Sequence, residues 1–324
     1  MSDQLELSKS KLISDEVKIA YFTVLVALLI TAFIPILFRV SGNSISPNAT
    51  LFNRFWIATV ILGLWNGFLF LKQRYSSGVP TGTLENSPPI KLFYDTHSLL
   101  LLLILAMVFV SFQLLWIWSL TFTSIANSEV MHSLSPLFTT LVGWSLFGQK
   151  FDRQFLIGIA IAIMGSIALA ANDFSITPDK LTGDGLALLS ASLWAGNLLI
   201  LEKLQTRLNI VVITTLECLL ASLFLLPALL LTGDQLFPHS QGGWLTVIIL
   251  GLTIVVTQTL IAYSLKWLSS GLVATILLIN PILAAIFASI IFSETLNLLN
   301  WIGLLVVLLG IYLATLSKYG VKTQ

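Results

Sequence analysis

The chain has 324 residues, of which 56% are hydrophobic and only 10% are charged, and its mean hydropathy is +0.95. Soluble domains carry about a quarter charged residues, so this composition excludes a soluble globular protein and indicates an integral membrane protein. The net charge of +1 gives no reason to expect a nucleic acid partner, and the single cysteine excludes an internal disulfide.

Apolar windows of about twenty residues, the length that crosses a bilayer as a helix, recur along the chain. They predict ten transmembrane helices, at about residues 18–38, 51–72, 98–120, 124–147, 154–171, 184–201, 211–232, 243–266, 271–292 and 300–317. Residues 73–97 are rich in serine, glycine and proline, which is typical of a flexible loop. We expect polar tails at residues 1–17 and 318–324 and no cleavable signal, since the first apolar run is too long for one.

Lysine and arginine are divided unequally between the two sides that these ten helices define. Thirteen lie on the side of the N-terminus, and only Arg39, Arg54 and Lys180 lie on the other. Because basic residues are retained on the cytoplasmic side, we expect both termini in the cytoplasm and the protein in the plasma membrane, which is the inner membrane of a bacterium.

The second half of the sequence repeats the first. A shift of 145 residues overlays 97–170 on 242–315 without a gap. This shift aligns Gln113 with Gln258, Ser119 with Ser264, Pro136 with Pro281, Phe147 with Phe292, Gly158 with Gly303, and Gly165 with Gly310. Earlier in each half, a shift of 163 brings Arg54 opposite Glu217, and the 73–97 loop absorbs the difference.

Each repeat, at 18–171 and 184–317, contains five predicted helices. Since five is odd, the second copy enters the membrane from the opposite face, and the fold class is all-α with two inverted five-helix repeats. Inverted repeats recur in secondary transporters, which bind their solute near the midplane between the halves. Exchanging the conformations of the two halves would turn a cavity from one side of the membrane to the other.

Two stretches carry a resemblance to a known family. They are Ser-Pro-Leu-Phe-Thr-Thr-Leu at 135–141 and Asn-Pro-Ile-Leu-Ala-Ala-Ile at 280–286, each followed by a phenylalanine and two glycines seven residues apart. With the ten helices and two repeats, they resemble the drug/metabolite transporter superfamily, EamA type. The family pattern has a glutamate just past the fourth helix of each repeat; Glu294 matches it, whereas Gln149 departs from it. Asn53-Arg54-Phe55 is similar to the family's Arg-Phe at the start of helix two.

The resemblance implies a small-solute carrier, commonly an exporter of metabolites such as amino acids, with a central cavity between the halves. It leaves the solute open, because the superfamily handles amino acids, nucleotide sugars, phosphorylated sugars and vitamins.

The fourth predicted helix carries ionisable groups where a lipid anchor would carry leucine. Glu129, His132 and Pro136 have the spacing of one helix face, and an ionisable group at a helix centre costs about 2.5–3.5 kcal/mol on insertion scales. We therefore expect this face to meet water or protein. Glu129 and His132 either contact a polar solute or carry a coupling proton, or Glu129 forms a structural ion pair with Arg54.

Further polar and aromatic side chains are candidates for the cavity wall. Ser190, Trp194 and Asn197 form a stripe on helix six that either lines the cavity or joins helices. The symmetry mates Gln113 and Gln258, deep in helices three and eight, either bind solute or form interhelical hydrogen bonds. Asn280 at a helix break contacts solute or satisfies a carbonyl, Tyr263 and its mate Trp118 are candidate aromatic walls, and Glu217 is a protonated carboxyl or a coupling site.

Small residues recur every four positions on helix five, from Gly158 to Ala170, and similarly on helix ten. They predict close helix packing, within one chain or in a homodimer. The sequence contains no metal-binding cluster and no nucleotide-binding glycine loop, so we expect no enzyme, no cofactor and no ATP-driven step. The leading hypothesis is a secondary transporter for a small metabolite in the lipid bilayer; the alternatives are a receptor-like or scaffold protein on the same fold and, third, an intramembrane enzyme.

Overall fold

In a computed structural model, the described part of the chain consists of helices joined by short turns. The helices are α1 (Ser2–Thr31), α2 (Ile34–Ser41), α3 (Pro47–Ser77), α4 (Thr96–Phe122), α5 (Ile125–His132), α6 (Ser135–Phe147), α7 (Arg153–Ala170), α8 (Pro178–Leu204), α9 (Ile210–Thr232), α10 (Gln241–Ser264), α11 (Ser270–Ile276) with a 3₁₀ turn (Leu277–Ile279), and α12 (Leu298–Thr315).

The structure describes residues 2–42, 44–77, 96–123, 125–132, 134–170, 178–280, 282–283, 286–287, 290 and 298–316. Several sequence predictions lie outside these residues. They are Pro281, Phe292 and Glu294 of the family-like stretches, the interior of the 73–97 loop and the tail at 318–324.

The helices have the length and surface of membrane-spanning elements. Five helical segments among the described residues are long and apolar enough to cross a bilayer: 15–38, 96–122, 180–204, 210–232 and 241–264. Large apolar side chains also point outward, among them Leu64, Leu146 and Leu231, which are 72%, 76% and 88% exposed. A helical fold with an apolar exterior is one of the two that satisfy their backbone groups in lipid. The predicted all-α membrane fold is thus confirmed, while the count of ten spans stays a prediction.

Side-chain caps and left-handed glycines set several helix ends. Asn209, Ser240 and Ser269 precede α9, α10 and α11, and the side chain of each accepts a hydrogen bond from a backbone N–H of the first turn. Gly148 and Gly233 follow α6 and α9 with φ of +62° and +68°, a conformation that glycine adopts without a steric penalty. These caps define short turns between the spans.

Two of the predicted spans are interrupted. The window 18–38 divides between α1 and α2, and the window 124–147 divides between α5 and α6. In each case a proline, Pro35 or Pro136, stands in the first turn of the second helix. Proline fits there because the first turn has no helical acceptor for its missing N–H. In the structure α5 ends at His132, four residues before Pro136.

The two repeats interlock. The first helix of each repeat packs against the third helix of the other: α1 lies on α10, and α8 lies on α4. The equivalent helices α3 and α9 pack against each other, as do α7 and α12. If the two repeats are exchanged, the contact of α1 with α10 becomes the contact of α8 with α4, and the contacts of α3 with α9 and of α7 with α12 stay the same. This pairing is what a two-fold relation between inverted repeats requires.

Glycines bring α7 and α12 into backbone contact. A Cβ added to Gly158 would lie 2.5 Å from the amide nitrogen of Ala314 and 2.7 Å from the carbonyl oxygen of Gly310. A Cβ added to Gly165 would lie 2.6 Å from the amide nitrogen of Val307 and 2.9 Å from the carbonyl oxygen of Gly303. The predicted seam of small residues therefore lies within one chain. In this seam Gly158 faces Gly310, the mate of Gly165, and Gly165 faces Gly303, the mate of Gly158.

Two hydrogen bonds join helix ends, one at each end of the helix bundle. At one end of the bundle, Tyr263 donates a hydrogen bond to Glu16 over 2.5 Å, which joins the C-terminal end of α10 to α1. At the other end of the bundle, Ser46 donates to Asp234 over 2.9 Å. Each hydrogen bond joins two segments that the predicted order of transmembrane helices places on the same side of the membrane.

Candidate functional site

A cavity lies where the interrupted helices meet α3, α4, α8 and α10. Its volume is about 130 Å³, measured for the centres of water molecules, which is about ten times what a single water needs. Seven of the nine residues predicted from the sequence line it: Arg54, Gln113, Glu129, His132, Trp194, Gln258 and Asn280. The other lining residues are Thr31, Ile34, Pro35, Phe112, Trp116, Ser135, Ile254, Thr257, Ile261, Ala274, Leu277 and Leu278.

Arg54 is a buried cation with spare hydrogen-bond donors. Its side chain is 3% exposed, its Nη1 donates to Oε1 of Gln113 over 3.4 Å, and its guanidinium carbon lies 5.6 Å from the centre of the Phe38 ring. Its Nε has no hydrogen-bond partner among the described residues. An arginine has five N–H donors, and a buried charge without a partner is costly. This side chain is therefore suited to bind an anionic group that enters the cavity.

Glu129 does not pair with Arg54 in this conformation. Both side chains are described, and no nitrogen–oxygen distance of 4.0 Å or less joins them. Glu129, 6% exposed, instead accepts a hydrogen bond from Nε1 of Trp116 over 3.1 Å. Next to it, Ser128 and Ser119 share a 2.6 Å hydrogen bond that fixes α5 on α4. One carboxylate oxygen of Glu129 thus remains without a partner in the described part of the chain.

His132 lies at the end of α5 against aromatic rings. Its ring centre is 6.4 Å from that of Trp194, which in turn is 5.0 Å from the Phe112 ring. Glu129 and His132 are three residues apart, so one turn of α5 presents both to the cavity. The result is a carboxylate, an imidazole and an indole within one wall.

The polar stripe of helix six divides between the cavity and helix packing. Trp194 lines the cavity. Ser190 donates to the backbone oxygen of Phe112 over 2.8 Å and joins α8 to α4. Asn197 lies outside the lining residues, and its Nδ2 donates to Oε1 of Glu217 over 3.0 Å. Spacing placed these residues on one face, but the neighbouring helices differ along that face.

Glu217 lies behind the cavity. Its side chain is fully buried and accepts two amide hydrogen bonds, from Asn197 and from Nε2 of Gln258 over 3.3 Å. Gln258 lines the cavity, so it is the connection between the buried acid and the open space. No cation lies within ion-pair distance of Glu217 among the described residues.

Asn280 and Tyr263 differ in their positions. Asn280 lines the cavity, and its Oδ1 accepts a hydrogen bond from Thr31 over 3.2 Å. Tyr263 lies at the end of α10, where it bonds to Glu16 and does not line the cavity. Its mate Trp118 is 43% exposed and donates to Asn48. The two candidate aromatic walls thus lie at opposite ends of the bundle.

The cavity lining repeats with the sequence. Six pairs of lining residues are separated by the repeat offset of 145: Phe112 and Thr257, Gln113 and Gln258, Trp116 and Ile261, Glu129 and Ala274, His132 and Leu277, and Ser135 and Asn280. A seventh pair, Thr31 and Trp194, follows the offset of 163. The cavity therefore lies around the axis that relates the repeats. Among the described residues, no group of three or more His, Cys, Asp or Glu side chains could hold a metal ion.

The sequence profile described as the EamA-like transporter family matches residues 18–171 and 181–316. The chain belongs to the EamA-like transporter family. The two matched segments begin 163 residues apart and end 145 residues apart, and these are the two offsets at which the sequence repeats.

Several relatives of this EamA-like chain carry the names of transporters. It is 28% identical over 195 residues to an uncharacterized inner membrane transporter, YedA, of Escherichia coli (strain K12), across 59% of this chain. It is 27% identical over 188 residues to a probable amino-acid metabolite efflux pump of Salmonella typhimurium, across 54% of this chain. The chain spans 62% of the length of each relative, which is less than two thirds. A solved crystal structure has the same fold, with a TM-score of 0.71 at 17% identity over 92% of this chain and 98% of that one.

Trp116, Phe112 and Thr31 line the EamA-like cavity although the sequence did not single them out. For Trp116 a signal was available, since it lies three residues after Gln113 and therefore on the same face of α4. Its mate, Ile261, stands three residues after Gln258 in the same way. Thr31 carries no such signal, because its position depends on the end of α1.

Proposed function

We propose that this EamA-like protein is a secondary transporter that exports a small, amino-acid-like metabolite by alternating access. The observation that carries the proposal is the cavity at the repeat axis, lined by charged, amide and aromatic side chains. A scaffold protein on the same fold would have no need to keep such side chains around an open space. Buried polar groups in a membrane protein are costly, and they mark solute and ion pathways.

The arrangement of the repeats supports alternating access. Each repeat contributes its first helix to the other half, so that α1 lies on α10 and α8 lies on α4. Exchanging the conformations of the two repeats leaves these contacts as a set unchanged. The cavity between them would then open to one side of the membrane in one state and to the opposite side in the other.

The chemistry of the lining supports an amino-acid-like solute. Arg54 has an Nε–H without a partner among the described residues for a carboxylate, and Glu129 has an unpaired oxygen for an ammonium group. Trp116 and Trp194 add aromatic surfaces to the same wall. The name of the Salmonella relative, a probable amino-acid metabolite efflux pump, agrees with this class of solute and with export.

Glu129 and His132 are the proposed coupling groups. Histidine ionises near neutral pH, and carboxylate–histidine relays recur in transporters. A proton taken up by either group would change the charge of the cavity when the solute leaves. Because the energy would come from such a gradient, transport by the protein would need no ATP.

Reconstitution in liposomes tests the proposal. Vesicles loaded with unlabelled amino acids are diluted into labelled alanine, leucine, phenylalanine or lysine, with labelled ribose as a solute of another class. We expect counterflow of at least one uncharged amino acid, without ATP, and acceleration when a pH gradient is imposed. Protein-free vesicles give the baseline. If folded, monodisperse protein accumulated none of the amino acids, the assignment of the solute would be wrong.

A further inference from the structure

Three of the paired positions of the cavity differ in chemistry between the two repeats. Three residues of the first repeat, Trp116, Glu129 and His132, are large and polar or ionisable. Their mates in the second repeat, Ile261, Ala274 and Leu277, are uncharged and aliphatic. At these three positions the repeat axis therefore relates a polar or ionisable side chain to an aliphatic one.

We define the polar wall as Gln113, Trp116, Glu129, His132, Ser135 and Trp194, and the aliphatic wall as Ile254, Ile261, Ala274, Leu277 and Leu278. The polar wall comes from α4, α5, α6 and α8, which pack together, and the aliphatic wall from α10, α11 and the turn after it. Since α11 packs against α6 and α8, the two walls adjoin where these helices meet.

Three polar groups beside the aliphatic wall already form a hydrogen bond within the protein. Thr31 donates to Oδ1 of Asn280, Thr257 donates to the backbone oxygen of Thr253 over 2.8 Å, and Gln258 donates to Glu217. On the other side, Arg54 Nε and one oxygen of Glu129 have no partner among the described residues. Among the charged groups that line the cavity, spare hydrogen-bonding capacity therefore lies at Arg54 and at Glu129 of the polar wall.

We propose that the aliphatic wall is a subsite for the uncharged side chain of the solute, and that Ala274 sets the size of that side chain. The inference rests on the proposed function and assigns an orientation to its solute. The carboxylate and ammonium groups bind at Arg54 and Glu129, and the side chain points across the cavity. Ala274 decides the size because it is the mate of Glu129 and the shortest side chain of the aliphatic wall.

Selectivity in a hydrophobic pocket changes by about tenfold or more for a change of one methylene. In the liposome assay we therefore compare unlabelled glycine, alanine, leucine and phenylalanine as competitors for the counterflow of labelled leucine. Ala274→Phe should weaken competition by leucine and phenylalanine about tenfold relative to glycine. Leu277→Ala should shift the preference the opposite way, towards phenylalanine. Ala160→Phe is the matched control, because Ala160 lies on the outer face of α7.

The outcomes separate this inference from the function on which it rests. A changed ranking of competitors in either variant, with the ranking of Ala160→Phe as in the wild type, supports the subsite. An unchanged ranking in both Ala274→Phe and Leu277→Ala overturns the subsite and leaves the transport of amino acids standing. If the wild type moves no amino acid, the proposed function fails and the subsite with it. Should Ala274→Phe not fold, Leu277→Ala alone decides the ranking.

Discussion

Arg54 and Glu217 occupy equivalent positions of the two repeats, and each is hydrogen-bonded to the glutamine at the equivalent position of its own repeat. Arg54 donates to Oε1 of Gln113 over 3.4 Å, and Glu217 accepts from Nε2 of Gln258 over 3.3 Å. A carboxamide has both a donor and an acceptor, so the same residue type serves opposite charges. The two repeats thus keep one contact while the charge at its centre is inverted.

The bonds of Glu217 predict a graded loss of stability. Glu217→Ala would leave the amide donors of Asn197 and Gln258 without their acceptor, and each unsatisfied buried group costs about 1–3 kcal/mol. Glu217→Gln keeps one acceptor and should lose less. We expect the melting temperature in detergent to fall in the order wild type, Glu217→Gln, Glu217→Ala. Asp15→Ala, at an exposed acid, is the control and should change little. A melting temperature for Glu217→Ala equal to that of the wild type would contradict this role.

Arg54 predicts how the solute carboxylate is held. Arg54→Gln removes the cation but keeps an amide beside Gln113, so the apparent affinity for amino acids should fall by about tenfold or more, since hydrogen bonds to charged groups contribute about 1.5–3 kcal/mol. Arg54→Lys should be weaker than the wild type as well, because an ammonium lacks the planar fork. Counterflow at several amino acid concentrations measures the change. Arg153→Gln, at the exposed first residue of α7, is the matched control, and equal affinity in all four proteins would exclude Arg54 from the site.

Much of the architecture was readable from periodicity. The offset of 145 paired residues that share the cavity, such as Gln113 with Gln258, and the glycines that form the seam between α7 and α12. Because both copies of an internal repeat fold in the same way, the repeat shows which positions are equivalent even when the packing of the helices is not known. The small residues also predicted the close approach of two helices. They did not tell whether the approach occurs within one chain, because the sequence does not name the partner helix.

The partners of individual side chains were harder to predict. Helical spacing placed Trp194 and Asn197 on one face of α8. Only Trp194 lines the cavity, because Asn197 is hydrogen-bonded to Glu217 of α9. Glu129 was expected to contact solute or to pair with Arg54, and in the structure its partner is Trp116. A spacing rule gives the face of a helix, whereas the partner depends on which helix covers that face and on its rotamers.

Substitutions of Glu129 and His132 test whether these residues act in transport and not in folding. Glu129→Gln and His132→Ala should reduce amino acid counterflow while leaving the amount of protein in the membrane unchanged, because neither forms an ion pair in the described structure. If Glu129 carries the coupling proton, Glu129→Gln should also lose the acceleration by a pH gradient. Asp15→Asn and His239→Ala change an exposed acid and an exposed histidine outside the cavity and serve as controls. Wild-type rates in both cavity variants would remove these two residues from the mechanism.

The seam between α7 and α12 predicts a contrast between two glycine-to-alanine substitutions. In Gly158→Ala the new Cβ would lie 2.5 Å from the backbone nitrogen of Ala314, so the two helices must separate, and overpacking of this kind costs about 1–3 kcal/mol. In Gly67→Ala nothing lies within 4 Å of the new Cβ, and the substitution should be neutral or stabilising by up to about 1 kcal/mol, since alanine favours a helix. Thermal unfolding of both variants in the same detergent measures the difference. Equal melting temperatures would mean that the backbones of α7 and α12 are not in contact at Gly158.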